Sequence, residues 1–504
     1  MKGGQSLSAL RARRLGVVAP GAAFVFLRSD CGVCRSEGFD ARAQVEIHHK
    51  GRSVTATLFH VISDILESDE AGLSEAAWQQ LGLEQGDVVT VTHAPPLASF
   101  SIVRRRVFGG RIDDEGAREV IADVVAQQYS DIHLAAFLTD CSATPLDEPE
   151  MIALTRAMVE TGDRLHWNQA PIVDKHCVGG LPGNRTTPII VSIVAAFGLT
   201  MPKTSSRGIT SPAGTADVME TLAPVNLSLT AMRRVVEREG GCIVWGGSVH
   251  LAPSDDILIR VSRALDFDAQ GPMVASVLSK KIAAGSTHVV IDIPVGPSVK
   301  VRSEKAAASL ATSLASVAQA FGVRTRIIKT DGRQPVGRGV GPALEARDVV
   351  AVLRGEPDAP QDLRDRAVTL AGAVLELAGA VEAGKGTKTA REVLDDGRAW
   401  KKFLRIAEAQ GGLREPPVAP HTRAVTASTD GLVAAIDCRK LARVAKLAGA
   451  PGAPAAGAEI HKRIGDPVTM GEPLLTLHAE TPGELDYAIA FLLGEPDIFM
   501  LTTP

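Results

Sequence analysis

At 504 residues, with 45% apolar and only 4% aromatic side chains, the chain is too long for one compact domain and must build its cores from Ala, Val, Leu and Ile. Its 54 Lys and Arg against 58 Asp and Glu leave a net charge of −4, which excludes the basic balance of a general nucleic-acid or membrane-surface binder. There is no apolar run of about 20 residues to span a membrane, six cysteines are too few for a disulfide scaffold, and Met1–Gly16 lacks the apolar stretch of a secretory signal, so a reducing cytoplasm is expected.

Residues 1–97 read as a separate β-rich domain. Val17–Val18, Ala23–Leu27, Ala43–His48, Ser53–Phe59 and Val88–His93 are short β-rich runs, several with period-two alternation. Leu73–Leu81 has a helical pattern with Ser74 as its cap. Cys31-Gly-Val-Cys34 followed by His48-His49 has a zinc-like spacing. Adjacent histidines point different ways, however, and no second cysteine pair follows, so a plain reduced loop is expected. From Gly110 to Leu165 the pattern is helical. Ile121, Val124 and Val125 share one face, Ile132, Leu134 and Phe137 a second helix, and Ile152, Leu154 and Met158 a third, with Ser130, Asp140 and Asp147 at cap positions. This is a helical bundle with no assignable chemistry.

After Pro171 strands and helices alternate, which predicts a parallel sheet, covering helices and a ligand at the carboxyl ends of the strands. The expected strands are Met201–Thr204, Cys242–Trp245, Val289–Ile293 and Thr325–Thr330; Leu229–Glu239 and Glu304–Phe321 are expected helices. Two glycine-bearing loops flank an apolar helix that Thr187 would cap, with Pro188 at its first position and Gly198 at its end. In the first loop Lys175 and His176 precede Gly179 and Gly180; in the second, Ser205, Ser206 and Arg207 precede Gly208, Thr210, Ser211, Gly214 and Thr215. Glycine lets backbone N–H groups approach an oxyanion, and hydroxyls and cations add donors, so the two loops together favour an anion site. A helical stretch, Ser254–Gly285, interrupts the alternation. Within it Ser276 and Lys280 are four apart and share a face, with Arg260 upstream. Such a trio could hold the carbonyl and ring-nitrogen edge of a heterocycle, although alone it reads as a solvated helix face.

Lys385-Gly-Thr-Lys388 reads as a loop leading into a helix, and Ala448–Gly457 as a flexible loop. Beyond Pro416-Pro417 the chain is α+β, with a short helix over Cys438–Leu447. The run Ile464–His478 resembles the hairpins of biotinyl and lipoyl carriers but lacks their lysine tip, so no swinging arm is expected.

The run S-S-R-G-I-T-S-P-A-G-T-A-D-V-M-E is similar to the signature of the thymidine and pyrimidine-nucleoside phosphorylases. K-H-C-V-G-G-L-P-G-N resembles more closely their nucleotide-acting (type 2) branch, the AMP phosphorylases, which also carry an amino-terminal extension of this size. What the resemblance implies is phosphorolysis, in which inorganic phosphate displaces a base from C1′ of a ribosyl unit. It implies a helical domain over 98–168 and 254–285 holding the base, and a parallel-sheet α/β domain over 169–253 and 286–415 holding phosphate. Residues 416–504 would be a structural α+β domain. By position, Lys175, Ser205 and Thr215 would bind phosphate, together with Cys177, where the family usually has Ser. Arg260, Ser276 and Lys280 would grip the base. Gly180, Ser206, Arg207, Gly208, Ile209, Thr210, Ser211, Thr215, Ser276 and Lys300 match nucleotide-binding positions. Asp268 would donate a proton to the leaving base, its pKa raised by burial or by Asp266, with His176 as the alternative donor. No cofactor and no metal are implied, phosphate being a co-substrate, and the chain would form at least a dimer. A nucleoside phosphorylase giving a pentose 1-phosphate is one alternative. The anthranilate phosphoribosyltransferases share the implied architecture but use magnesium, and no acidic metal motif stands near either loop. A non-catalytic nucleotide sensor is the alternative of another class.

Overall fold

Residues 9–19, 22–208, 211–266 and 269–502 are described by the computed structural model, and the chain divides into two units, Met1–Asp140 and Cys141–Pro504. In the first unit six strands, β1 (Ala9–Arg14), β2 (Phe24–Arg28), β3 (Gln44–His49), β4 (Arg52–Val61), β5 (Glu70–Leu73) and β6 (Val88–His93), close a barrel in the order β1-β5-β2-β4-β3-β6. Alternate residues fill it: Val25, Leu27, Val45, Ile47, Val89 and Val91 are fully buried. Closure leaves no unpaired strand edge. Two of these strands, β1 and β5, fall outside the expected runs. Strand β1 buries only Leu10 and Ala12, between arginines that pair with Asp69, Glu70 and Glu75, so its apolar alternation is thin. Val17–Val18 is an irregular connection with Val18 exposed.

Cys31-Gly-Val-Cys34 is helical rather than a loop. It opens α1 (Gly32–Glu37), where Cys31 Sγ accepts from the Cys34 N–H at 3.1 Å. His48 turns to Thr92 and His49 to the Val88 carbonyl. Among the described residues no three His, Cys, Asp or Glu are grouped to hold a metal ion. Ser74 caps α2 (Glu75–Leu81) as expected. Three longer helices follow, α3 (Phe100–Val107), α4 (Asp114–Val125) and α5 (Asp131–Ala143), the last opened by Ser130, whose Oγ accepts from the His133 N–H. Asp140, expected as a cap, lies inside α5 and forms a buried ion pair with Arg106 of α3. A carboxylate taken out of water requires such a partner.

The second unit opens with α6 (Glu148–Glu160), started by a reciprocal capping box of Asp147 and Glu150. Parallel strands follow: β7 (Val173–Cys177), β8 (Met201–Ser205), β9 (Gly241–Trp245), β10 (His288–Val295) and β11 (Arg324–Asp331). They pair as β11-β10-β7 and β8-β9. A parallel bridge between Ile172 and Thr200 joins the two sets, with the Val173 N–H donating to the Thr200 carbonyl at 2.9 Å. Every strand therefore ends on the same side, where the loops expected to bind ligand lie. The intervening helices are α7 (Thr186–Phe197), α8 (Thr215–Glu220), α9 (Leu229–Glu239), α10 (Pro253–Leu265), α11 (Gln270–Ala283) and α12 (Glu304–Ala320). After β11 come α13 (Pro342–Arg354), α14 (Gln361–Leu377), α15 (Gly386–Asp395) and α16 (Arg398–Gln410).

Helix α7 is apolar all round after its first turn and buried at the centre of this unit, and its mid-helix hydroxyl, Ser192, donates back to the Pro188 carbonyl. Gly198 ends it in the left-handed conformation, as expected, but its first residue is Thr186, one before the expected cap. Lys388 lies within the first turn of α15. Two antiparallel sheets and the helices α17 (Cys438–Leu447) and α18 (Pro482–Gly494) make up residues 421–502. Ala448–Gly457 is a packed turn rather than a loose one, burying Ala450, Ala455 and Ala456. Among the described residues no helix is long and apolar enough to cross a membrane.

Candidate active site

Parallel strands buried on both faces normally read as unbroken apolar runs. Here β7 carries Asp174 and Lys175, β8 carries Lys203, and β10 carries Asp292 at their centres, while α11 contributes Lys281. Asp174 and Asp292 are fully buried and Lys203, the most open of the five, is 4% exposed. Asp174 takes Lys281 at 2.7 Å and Lys203 at 3.3 Å on its two oxygens. Lys175 donates to Thr186 Oγ1 at 2.9 Å and stands 3.9 Å from Asp292. Three cations share two carboxylates, and burial lowers the pKa of Lys281. This cluster lies on the strands from which the two loops leave.

The first loop leaves β7 through His176 and Cys177. Burial, with help from Lys281, Lys203, Lys280 and Lys175, pushes the His176 imidazole well below its ordinary pKa, so it is neutral at pH 7. It can form hydrogen bonds there but holds no imidazolium proton to give. Burial, with Asp292 adding to it, pushes the Cys177 thiol up to about 12. Its sulfur accepts from Asn184 Nδ2 at 3.4 Å. Gly179 and Gly180 both have positive φ, 93° and 85°. Gly180 also has no room for a side chain, since a Cβ would lie 2.7 Å from Lys300 N and 2.9 Å from its Cγ. Lys300, on the loop after β10, is thus seated against the first loop.

Arg207 anchors the second loop: it bonds Glu220 at 2.5 Å, bonds Asp217 at 3.3 Å, and lies 4.9 Å over the Trp245 ring. Asp217 Oδ2 accepts from the Gly208 and Gly214 N–H groups, at 2.5 and 2.8 Å, and ties these two positions to α8. Ser205 ends β8, Ser206 is exposed, Ser211 donates to the Ala213 carbonyl, and Thr215 opens α8. Ile209 and Thr210 lie outside the described residues.

On the helical side, Lys280 Nζ reaches Ser276 Oγ at 3.1 Å, as their spacing on α11 predicts, and Asp255 of α10 at 2.5 Å. Lys280 is therefore neutralised by a carboxylate that sequence reasoning did not single out. Arg260 is partly buried on α10. Lys280 and Lys281 are neighbours on α11, so the bond from Lys281 to Asp174 ties this helix to β7 and brings the Ser276–Lys280 pair towards His176. Asp268 lies outside the described residues. Asp266, expected to raise its pKa, ends α10 at φ 55° and pairs with Arg439 instead.

Sequence reasoning missed Asp174, Lys203, Asp292, Lys281, Asp217, Asp255 and Arg185. For the first three the signal was a charge inside an apolar strand, which only a paired or functional group tolerates. Arg185 closes the first loop and reaches the second. Its NH1 donates to Thr215 Oγ1 at 2.7 Å and its NH2 to the Ala213 carbonyl at 2.9 Å, while Nε bonds Glu345 of α13 at 2.8 Å. Burial pushes the Glu345 carboxyl up to about 7 against the pull of that guanidinium.

Three segments match family descriptions: residues 101–162 the helical bundle domain and residues 169–400 the a/b domain of the glycosyl transferase family, and residues 432–495 the pyrimidine nucleoside phosphorylase C-terminal domain. A protein of Acidovorax sp. (strain JS42) named "Putative thymidine phosphorylase 1" is 60% identical over 493 residues, covering 98% of this chain and 96% of its own. A protein of the same name without the number, from Chelativorans sp. (strain BNC1), is 58% identical over 496 residues, covering 98% and 97%. Among solved structures, anthranilate phosphoribosyltransferase from Thermus thermophilus superposes with a TM-score of 0.51 at 22% identity, over 61% of this chain and 98% of that one. That last likeness is one of fold.

Proposed function

This chain belongs to the thymidine phosphorylase family of pentosyltransferases, and from that premise we propose that it catalyses reversible phosphorolysis of a nucleoside 5′-monophosphate, giving free base and ribose 1,5-bisphosphate. The observation that carries the nucleotide reading is Lys300, whose stem packs on Gly180. That seat sets the Lys300 stem beside the first anion loop, apart from the buried lysines of the strands, which supports a separate cationic contact there. One phosphate group is the attacking co-substrate; a 5′-phosphate is the partner left for Lys300.

In the proposed reaction a phosphate oxygen forms a bond to C1′ as the bond from C1′ to the base nitrogen breaks, with oxocarbenium character between them. Negative charge develops on the departing base, and Asp268 supplies its proton. His176, kept neutral, serves as a hydrogen-bond partner. Ser205, Thr215 and the loop N–H groups hold phosphate. Lys175 contributes its charge from below, through the helix start it supports. Ser276, Lys280 and Arg260 hold the base, and Asp255 orients Lys280. The protein needs no cofactor, acts in the cytoplasm and works as a homo-oligomer, at least a dimer.

A second reading, phosphorolysis of thymidine or another pyrimidine nucleoside, is favoured by the names of the relatives and by the carboxyl-terminal match. Phosphate-dependent base release across AMP, CMP, UMP, thymidine and uridine decides between them. The monophosphates should be the better substrates, and Lys300→Ala should erode that preference by roughly ten- to hundredfold, the worth of one charged hydrogen bond. A wild-type preference for nucleosides, or equal losses on UMP and uridine in the variant, leaves the second reading. Loss of activity to a chelator, restored by a divalent ion, would overturn the cofactor-free mechanism.

A further inference from the structure

Arg185 begins from an unusual position. It is the residue before α7, the place a capping side chain normally takes, yet it caps nothing there. Its guanidinium instead crosses to the second loop. The side chain is 12% exposed and that of Glu345 is 2% exposed, so their ion pair at 2.7 Å is shielded from water. On the far side the guanidinium meets Thr215 Oγ1, at the first residue of α8, and the Ala213 carbonyl two residues before it.

We infer that Arg185 is a positioning residue that holds the two glycine loops at one fixed spacing around the attacking phosphate, with Glu345 as the counter-charge that orients it. This deepens the phosphorolysis reading and rests on it. The chemistry is specific. A threonine hydroxyl has one proton to donate and two lone pairs. With a lone pair occupied by Arg185, Thr215 is directed to donate its proton, which an anion requires, and a hydroxyl that accepts from a cation is the stronger donor. The Ala213 carbonyl would repel an anion if it turned into the site; bonding to Arg185 holds it away. A rigid fork bonding three acceptors at once is a task for arginine rather than lysine, whose ammonium is a single point. One side chain therefore sets both the distance between the loops and the polarity of the group that meets phosphate.

The test compares wild type, Arg185→Met and Arg185→Lys in the full-length protein. Two quantities are read: inorganic phosphate affinity by calorimetry without a second substrate, and the separate KM values for phosphate and for the nucleoside or nucleotide. Arg185→Met should weaken phosphate binding and raise its KM by roughly tenfold, with the other KM moving much less, and Arg185→Lys should fall between. If Arg185→Met does not fold, Arg185→Lys carries the test alone. Phosphate affinity within about twofold of wild type, or both KM values moving together, overturns the inference. A wild-type protein that binds phosphate but releases no base overturns the phosphorolysis reading, and the binding comparison then decides the role of Arg185 by itself. A wild-type protein that binds no phosphate overturns both.

Discussion

Cys177 stands at the end of β7 with its thiol pushed up to about 12, chiefly by burial. At neutral pH it is a protonated, weakly donating group that takes a hydrogen bond from Asn184. A serine hydroxyl is the better donor to phosphate at that point. Cys177→Ser should therefore keep kcat and leave the phosphate KM equal or lower, as measured by initial rates at fixed nucleoside or nucleotide. A large loss, with inactivation of the wild type by thiol reagents, would instead give the sulfur a role of its own. His176 is a related case. Its pKa is held low by burial and by the lysines around Asp174, which outnumber the carboxylates, so it is already neutral where free histidine titrates. Sequence alone presents it as a group with a convenient pKa. The lysines that depress it come from β7, β8 and α11, and no spacing along the chain reveals that they converge.

The two loops were legible because glycines, hydroxyls and cations sit close together in the chain; of the strands that precede them β8 was expected, whereas β7, V-D-K-H-C, has no apolar run and was not. What holds the loops was not. Asp217 and Arg185 are ordinary surface residues by type, and each becomes informative only when its partners are known. The same limit applies to β1, whose arginines mask its alternation. Gly179 and Gly180 look equivalent in sequence and have similar φ, yet they should respond differently to a methyl group. Nothing lies within 4 Å of a Cβ on Gly179, whereas one on Gly180 would press on the Lys300 backbone. Gly179→Ala should cost only the left-handed strain, about 1–2 kcal/mol. Gly180→Ala should add displacement of the loop after β10, a larger fall in Tm and a raised KM for the nucleoside or nucleotide. Thermal unfolding and steady-state kinetics on the pair check this; equal effects would mean Lys300 is not seated on Gly180.

Across the second unit, the carboxyl-terminal region is more than an appended domain. The segment 464–478, expected as a hairpin, is not one: Pro467–Val468 pairs with Gly431–Leu432 and Pro473–Ala479 with residues 421–426 and 457–460, in a different sheet, and its start near Arg463 is tied to another segment of the fold. Arg463 donates to the Pro335 carbonyl at 2.5 Å and to the Gly337 carbonyl, and the Ile464 N–H donates to Gln334 Oε1 at 2.9 Å. Between those contacts lies Val336, whose carbonyl accepts from the Asn184 N–H at 2.9 Å and whose N–H donates to the Pro182 carbonyl at 3.3 Å. Gly183 completes the join, since any side chain there would run into the Val336 carbonyl. A continuous run of hydrogen bonds thus leads from Arg463 and Ile464, through residues 334–337, to the first glycine loop. Arg463→Ala removes the donors at one end and leaves the loop composition untouched. Mutations along such a connected path typically shift coupling by about 0.5–2 kcal/mol, so the phosphate KM should rise roughly two- to thirtyfold. The KM for the nucleoside or nucleotide should change less, because Lys300 is held from the loop after β10. A fall in Tm with an unchanged phosphate KM would assign this segment a purely structural role.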